Sequence, residues 1–425
     1  MPADTRVLVV GTTPDYVDWI CRADPGRALF ITEPALRRDA REPAPGPRDE
    51  ILCDLARPDH LFAALLAHLR KWNIEIDGVA CFDCESLPPA AFLAQKLGLN
   101  FVSPQAVAAC RDKQTSKTLW KKNGIFCPIV APIFKEAEAV EFFTKNGVCV
   151  LKPAFGAGSE LVFRCDTRES CRRAFDLISK GLLRRSGHRL YRNTGDAAPI
   201  IAETCVNGPE FSCDFFVESG RATLIRLAKK IPAPPGSPFG TTLAYVLVEA
   251  LPGIDNAALA RNMADGASAL GISRSLCMAD FIVHEGRPAL LEMTPRPGGD
   301  CLPPLIRHAL DIDTLLLALD VAQHRPLSLA DCPPPRLMAG LRFHARQEGV
   351  LTRADWSAIA GDPRVREVLP VRHPGDKIFL PPRDYDSFLL GSAVFAPAGP
   401  DTLAEECAGL LNRLIVEISP HDDTA

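Results

Sequence analysis

The sequence predicts an α/β protein whose N-terminal part is built on a mostly parallel sheet. Three observations predict it. Apolar runs alternate with helix-like stretches over residues 1–105, the pattern of strands joined by crossover helices. Hydrophobic residues make up 47% and charged residues 24% of the 425-residue chain, enough to bury a sizeable core and to exclude global disorder. No apolar run approaches the roughly 18 residues of a spanning helix.

The elements follow in order. Residues 6–10 (RVLVV) form an apolar strand ending at Gly11, and residues 28–31 (ALFI) form a second. Residues 37–49, rich in Pro and charge, form a loop. Residues 61–70 suit a helix, 76–82 a strand, and 90–97 a helix closed by Gly98. Gly11-Thr12-Thr13 lacks the other two glycines of a dinucleotide turn, which argues against a Rossmann cofactor. Residues 105–122 and 134–146 are helical, the second stopped by Gly147. Residues 148–151 form a strand running into Lys152, and 200–203, 211–217 and 222–227 form three more. A Pro-rich loop, 231–240, suits a lid. Residues 255–270 are helical, 278–284 and 288–293 form a hairpin about Glu285-Gly286, and 305–319 are helical. The proline-rich stretch 326–335 marks a boundary, and short strands with a final helix, 403–414, follow. Three segments are expected: 1–105, 106–325 and 326–425.

The net charge of −4, from 48 basic and 52 acidic residues, advertises neither a nucleic-acid nor a membrane partner. One base precedes a short apolar stretch at the N-terminus, which is not a signal peptide, and the expected location is cytoplasmic. The fifteen cysteines are odd in number and scattered, so reduced thiols are expected rather than a disulfide framework. Cys81 and Cys84 form a lone CxxC without a second ligand pair at zinc spacing. They are read as small buried thiols at a strand end.

Four constellations carry chemistry. In VLKPAFGAGSE a strand delivers Lys152, and a small-residue loop follows with Gly156, Gly158 and Ser159. Glycine amides can cradle phosphate oxygens, and a lysine adds a point charge. The lysine precedes the glycines, so this is not a Walker motif. In MADFIVHEGRPALLEMTPRPGGD, Asp280 and Glu292 lie on adjacent strands and can face one side. Two carboxylates among apolar neighbours call for a cation between them, and a hard divalent ion bridging to nucleotide phosphates fits. Arg296 can clamp a carboxylate or phosphoryl group, and the amides of Gly298 and Gly299 can hold an anion. Glu203 and Glu210 flank ETCVNGPE, where two acceptors could meet a nucleoside. Asp112-Lys113 opens a charged helix.

In this order the four blocks resemble the ATP-grasp superfamily, in its carboxylate–amine (amino-acid) ligase-like subgroup. The resemblance covers residues 75–320. It implies an ATP-grasp fold, α+β in its core, with an N-terminal α/β lobe before it and a small C-terminal α+β cap. It also implies that Lys113 and Lys152 grip the nucleotide, with Gly156, Gly158 and Ser159 closing on the phosphates. Glu203 would be the adenine-side acid and Glu210 the ribose-side acid. Asp280 and Glu292 would hold magnesium, or manganese in its place. Where the family has asparagine as a further metal ligand, Thr294 stands here. Its hydroxyl can still ligate through one oxygen, though with shorter reach.

The reaction so implied is attack of a carboxylate on the γ-phosphate of ATP, then displacement of phosphate by an amine. Lys152 and Arg296 would neutralise the developing charge. Small carboxylic acids and amines, amino acids among them, are the implied partners, and a homodimer is the family-level expectation. A carboxylase activating bicarbonate, and a nucleotide-binding regulatory relative, are the alternatives. The substrate pocket is expected between the core and the last ~90 residues, with Arg342 a further candidate for anion recognition.

Overall fold

The computed structural model describes residues 4–191, 199–327, 329 and 334–420. The N-terminal apolar runs pair as a four-stranded parallel sheet, ordered Glu50–Leu52, Ala28–Thr32, Asp4–Val10, Ile74–Ala80. Val7 to Val10 and Ala28 to Ile31 are buried without interruption, because helices cover both faces of such a sheet. The fold class is α/β, as the alternation predicts.

The core is an antiparallel eight-stranded sheet. Its order is Arg287–Thr294, Arg274–His284, Glu210–Glu218, Arg221–Pro232, Thr242–Leu247, Ala339–His344, Leu389–Phe395, Val365–Pro370. The last three strands come from the C-terminal hundred residues, so one sheet runs through both parts of the chain. A smaller antiparallel sheet, ordered Val130–Ile133, Ile200–Thr204, Cys149–Pro153, Phe163–Cys165, carries Lys152. The helices Glu136–Asn146 and Arg168–Arg184 pack on it. A three-stranded sheet, Lys377–Ile378, Gly349–Asp355, Ile415–Ser419, completes the set.

Several elements differ from the sequence reading. The helix expected over 105–122 is two, Pro104–Arg111 and Lys113–Lys122. Asp112 breaks it, because its side chain accepts from the amides of Gln114 (2.9 Å) and Thr115 (3.2 Å) and caps a new helix. The stretch 305–319 likewise divides into Leu302–Leu310 and Thr314–Ala322, with left-handed Asp311 closing the first and Asp313 capping the second. Strand 222–227 extends to Arg221–Pro232 and carries Lys230. Strand Thr242–Leu247 and helix Arg168–Arg184 were not anticipated. The final helix ends at Leu411. Of the boundary 326–335, residues 328 and 330–333 lie outside the described residues. No described helix is long and apolar enough to cross a membrane.

Candidate active site

Strand Cys149–Pro153 presents Lys152 beside strand Ile200–Thr204, its antiparallel neighbour. The ammonium lies 2.8 Å from Glu203, and Lys117 binds the other carboxylate oxygen at 2.9 Å. Lys117 and Glu203 are fully buried. Burial pushes Glu203 up, but the two ammoniums outweigh it and hold its carboxyl below the usual range. Burial also pushes Lys117 down to about 8, Glu203 opposing. Glu203, expected on the adenine side, thus has each carboxylate oxygen facing a lysine. A buried charge needs such partners, and Lys152 is held in place by its own.

Lys113 begins the helix that Asp112 caps. Its ammonium donates to the Gly156 carbonyl at 2.7 Å, and its amide to the Ala154 carbonyl at 3.1 Å. Lysine and glycine loop are thus joined directly. Burial lowers the pKa of Lys113, Glu292 opposing. Gly156 has φ +132°, and a Cβ there would lie 2.9 Å from the Tyr191 ring, so the loop path requires glycine. Gly240, at the end of the Pro-rich loop, faces Ser159 across the same opening.

Asp280 and Glu292 are direct partners across the pair Arg274–His284 and Arg287–Thr294. The shared face expected from the two-residue period is present, and both line one cavity of about 1040 Å³. Asp280 Oδ2 accepts from Lys230 at 3.1 Å, while Asp280 Oδ1 and Thr294 Oγ1 are buried without a hydrogen-bond partner. Orphaned buried oxygens beside a second carboxylate are the donor set a hard divalent cation takes, so the residues present fit magnesium. Thr294 stands on this wall, and its hydroxyl is free to ligate.

Glu210 pairs with Lys230, which bridges it to Asp280. Burial works to lower the Lys230 pKa, but Asp280 and Glu210 together hold it well above the usual lysine range. Sequence reading missed Lys230. The available signal was its place two residues after Ala228 on the inward face of a strand. It also missed Lys117, whose signal was the i, i+4 spacing from Lys113.

Arg296 is half-buried at the cavity wall. Its Nε and Nη2 donate to Cys84 Sγ at 3.2 and 3.1 Å, and its Nη1 donates to the Pro297 carbonyl at 2.8 Å. Its hydrogen bonds thus go to a sulfur and a carbonyl rather than to a carboxylate. Cys84, read from sequence as a packing thiol, orients this cation. The Gly298 amide, expected to hold an anion, instead donates to buried Asp214 at 3.1 Å. Asp214 in turn pairs with buried Arg226 at 3.1 Å. Gly299 does line the cavity. Arg342 also lies on the cavity wall, with Nε 2.7 Å from Asp300 and Nη1 donating to the Thr242 carbonyl at 3.1 Å. Every described cysteine is a free thiol.

This fold and cavity define a class. Residues 146–304 match the model of the ATP-grasp domain family. It is similar to D-alanine--D-alanine ligase from Cupriavidus metallidurans, 25% identical over 229 residues, 51% of this chain and 65% of that one. It is also similar to human carnosine synthase 1, 26% identical over 278 residues, 63% of this chain and 33% of that one. The chain thus spans less than two thirds of the length of either relative. Among solved structures, the L-amino acid ligase from Bacillus licheniformis superposes with a TM-score of 0.77 at 18% identity, covering 97% of this chain and 99% of that one. That likeness establishes the fold.

Proposed function

We propose that the chain is an ATP- and magnesium-dependent ligase that joins a small carboxylic acid to an amine, both amino-acid-like, and releases ADP and phosphate. One observation carries this reading. Lys113 with its glycine loop, the Asp280–Glu292–Thr294 oxygens and the cation Arg296 converge on a single cavity. The names of the three similar proteins, two of them ligases and one a synthase, support an amino-acid substrate.

The acid's carboxylate attacks the γ-phosphate to give an acyl phosphate, and the amine then displaces phosphate to form the amide bond. A divalent ion held by Asp280, Glu292 and Thr294 would neutralise phosphate charge there. Lys152, oriented by Glu203, and Lys113, anchored at Gly156, hold the nucleotide phosphates. The amides around Gly156, Gly158 and Ser159 cover them. Glu210 is the acceptor for the ribose. Arg296, a cation fixed by its hydrogen bonds, binds the acid and stabilises charge as it moves to the transferring group. Residues 1–105 form one wall, 106–325 grip the nucleotide, and 326–425 cap the cavity.

The test is ADP release across pools of amino acids and other small acids, with product masses recorded. Turnover should require magnesium, an acid and an amine together. AMP as product, or stimulation by bicarbonate alone, would overturn the ligase reading. Nucleotide binding without turnover across the whole panel would point to the regulatory relative.

A further inference from the structure

The small sheet that carries Lys152 holds a second cluster of reactive side chains, remote in chemistry from the cavity. Cys149 opens strand Cys149–Pro153, Cys165 ends strand Phe163–Cys165, and Cys171 lies in helix Arg168–Arg184. Cys149 and Cys165 are direct partners across the antiparallel pair. The three sulfurs lie within 4.8 Å of one another, and all three residues have zero exposure. No other such group occurs among the described residues.

Their surroundings are apolar: they belong to one core cluster with Ile133, Phe142, Leu151, Leu161 and Ile178. The polar contacts of Cys165 are long, 3.8 Å to the Phe163 carbonyl and 3.7 Å to that of Ser170. Apolar side chains alone would fill this core without bringing three thiols from three elements to one point. A metal–sulfur bond of about 2.3 Å in trigonal geometry separates sulfurs by about 4.0 Å, a spacing within the 4.8 Å that bounds this cluster. The ligand set is all sulfur, with no carboxylate or imidazole joining it among the described residues. Soft ligands in a dry shell select a soft cation over magnesium or calcium. Three ligands without a fourth favour a three-coordinate monovalent ion.

We propose that Cys149, Cys165 and Cys171 form a binding site for a soft monovalent cation of the copper(I) type. The site ties together both strands of the hairpin that carries Lys152 and the Gly156–Ser159 loop, and the helix behind them. Each thiol that ligates gives up its proton to solvent, since the thiolate is the ligand. A bound ion would stiffen the hairpin without entering the cavity.

The test is an anaerobic titration of the reduced full-length chain with copper(I) delivered from a competing chelator. X-ray absorption on the loaded protein follows. One equivalent should survive the chelator, with three sulfur neighbours, and should raise the melting temperature. Cys171→Ala should weaken binding by more than about 100-fold, beyond the usual effect of losing a residue that only orients a ligand. Cys213→Ala, another buried thiol, should leave binding unchanged. Binding equal in Cys171→Ala and the unsubstituted chain, or fewer than three sulfurs, would overturn the assignment. If zinc binds more tightly with an added oxygen or nitrogen ligand, the three-coordinate monovalent class is wrong. Should Cys171→Ala not fold, the sulfur count on the unsubstituted chain decides alone.

Discussion

Lys152 and Glu203 show how one residue's role depends on another's charge. Glu203 binds Lys152 on one oxygen and Lys117 on the other, so Lys152 is held in place by a buried acid. Lys152→Ala should lower kcat/KM for ATP-dependent ligation by about 10²–10³, the usual effect of losing one fixed electrostatic contact. The melting temperature should stay close to that of the parent chain, because Glu203 keeps Lys117. An unchanged rate would remove Lys152 from the site. Thr294 has the opposite expectation. Its hydroxyl is buried and unpartnered beside Asp280, and an asparagine there would reach further toward the same ion. Thr294→Asn should keep or raise activity and lower the magnesium concentration needed for half-maximal rate. A large loss of rate would show that the threonine has a role of its own.

At the scale of elements, the loop after strand Arg287–Thr294 is fixed from below. Asp214, paired with Arg226, accepts from the Gly298 amide, and a Cβ on Gly298 would lie 2.7 Å from both Arg226 Nη2 and Leu302 Cδ1. The loop holding Arg296 is therefore seated on a buried ion pair that has no room above it. Gly298→Ala should destabilise the protein by about 1–3 kcal/mol through overpacking, read from the midpoint of urea unfolding. It should also lower ligation more than Lys152-independent nucleotide binding, since Arg296 shifts while the phosphate loop does not. Unchanged stability would mean that the loop yields freely and that the seat is not rigid.

Across the whole molecule, the eight-stranded sheet brings C-terminal strands up to the cavity, and His344 lies on one of them. Its ring stacks on Phe388 with centroids 4.7 Å apart, and its Nε2 is buried without a partner. Burial, with repulsion from Arg342, holds its pKa down to about 3. The unfolded chain protonates this ring near pH ~6.5. Between these values the unfolded state binds a proton that the folded state does not. The neutral ring's contribution is therefore complete above about 6.5 and is lost as pH falls toward about 3. His344→Phe keeps the stack and removes the titration. The parent chain should lose on the order of 2–3 kcal/mol more than the variant between pH 7 and pH 4, measured as urea midpoints. Parallel curves for the two proteins would show that His344 takes up its proton in the folded state.

By itself the sequence determined the parallel N-terminal sheet, the strand that delivers Lys152, and the carboxylate hairpin of Asp280 and Glu292. These are local matters of apolar period, turn residues and short spacing, which a single stretch of chain carries. The helix break at Asp112 was also written locally, as a cap within a charged run, yet the continuous helical pattern hid it. Only the tertiary structure decided which charges face one another. Glu203 turned to two lysines, Lys152 on the neighbouring strand and Lys117 on a helix earlier in the chain. Lys230 came to bridge Glu210 and Asp280, and Cys84 came to hold Arg296 across more than two hundred residues. The energy of a buried charge depends on what surrounds it in space, and spacing along the chain does not encode that.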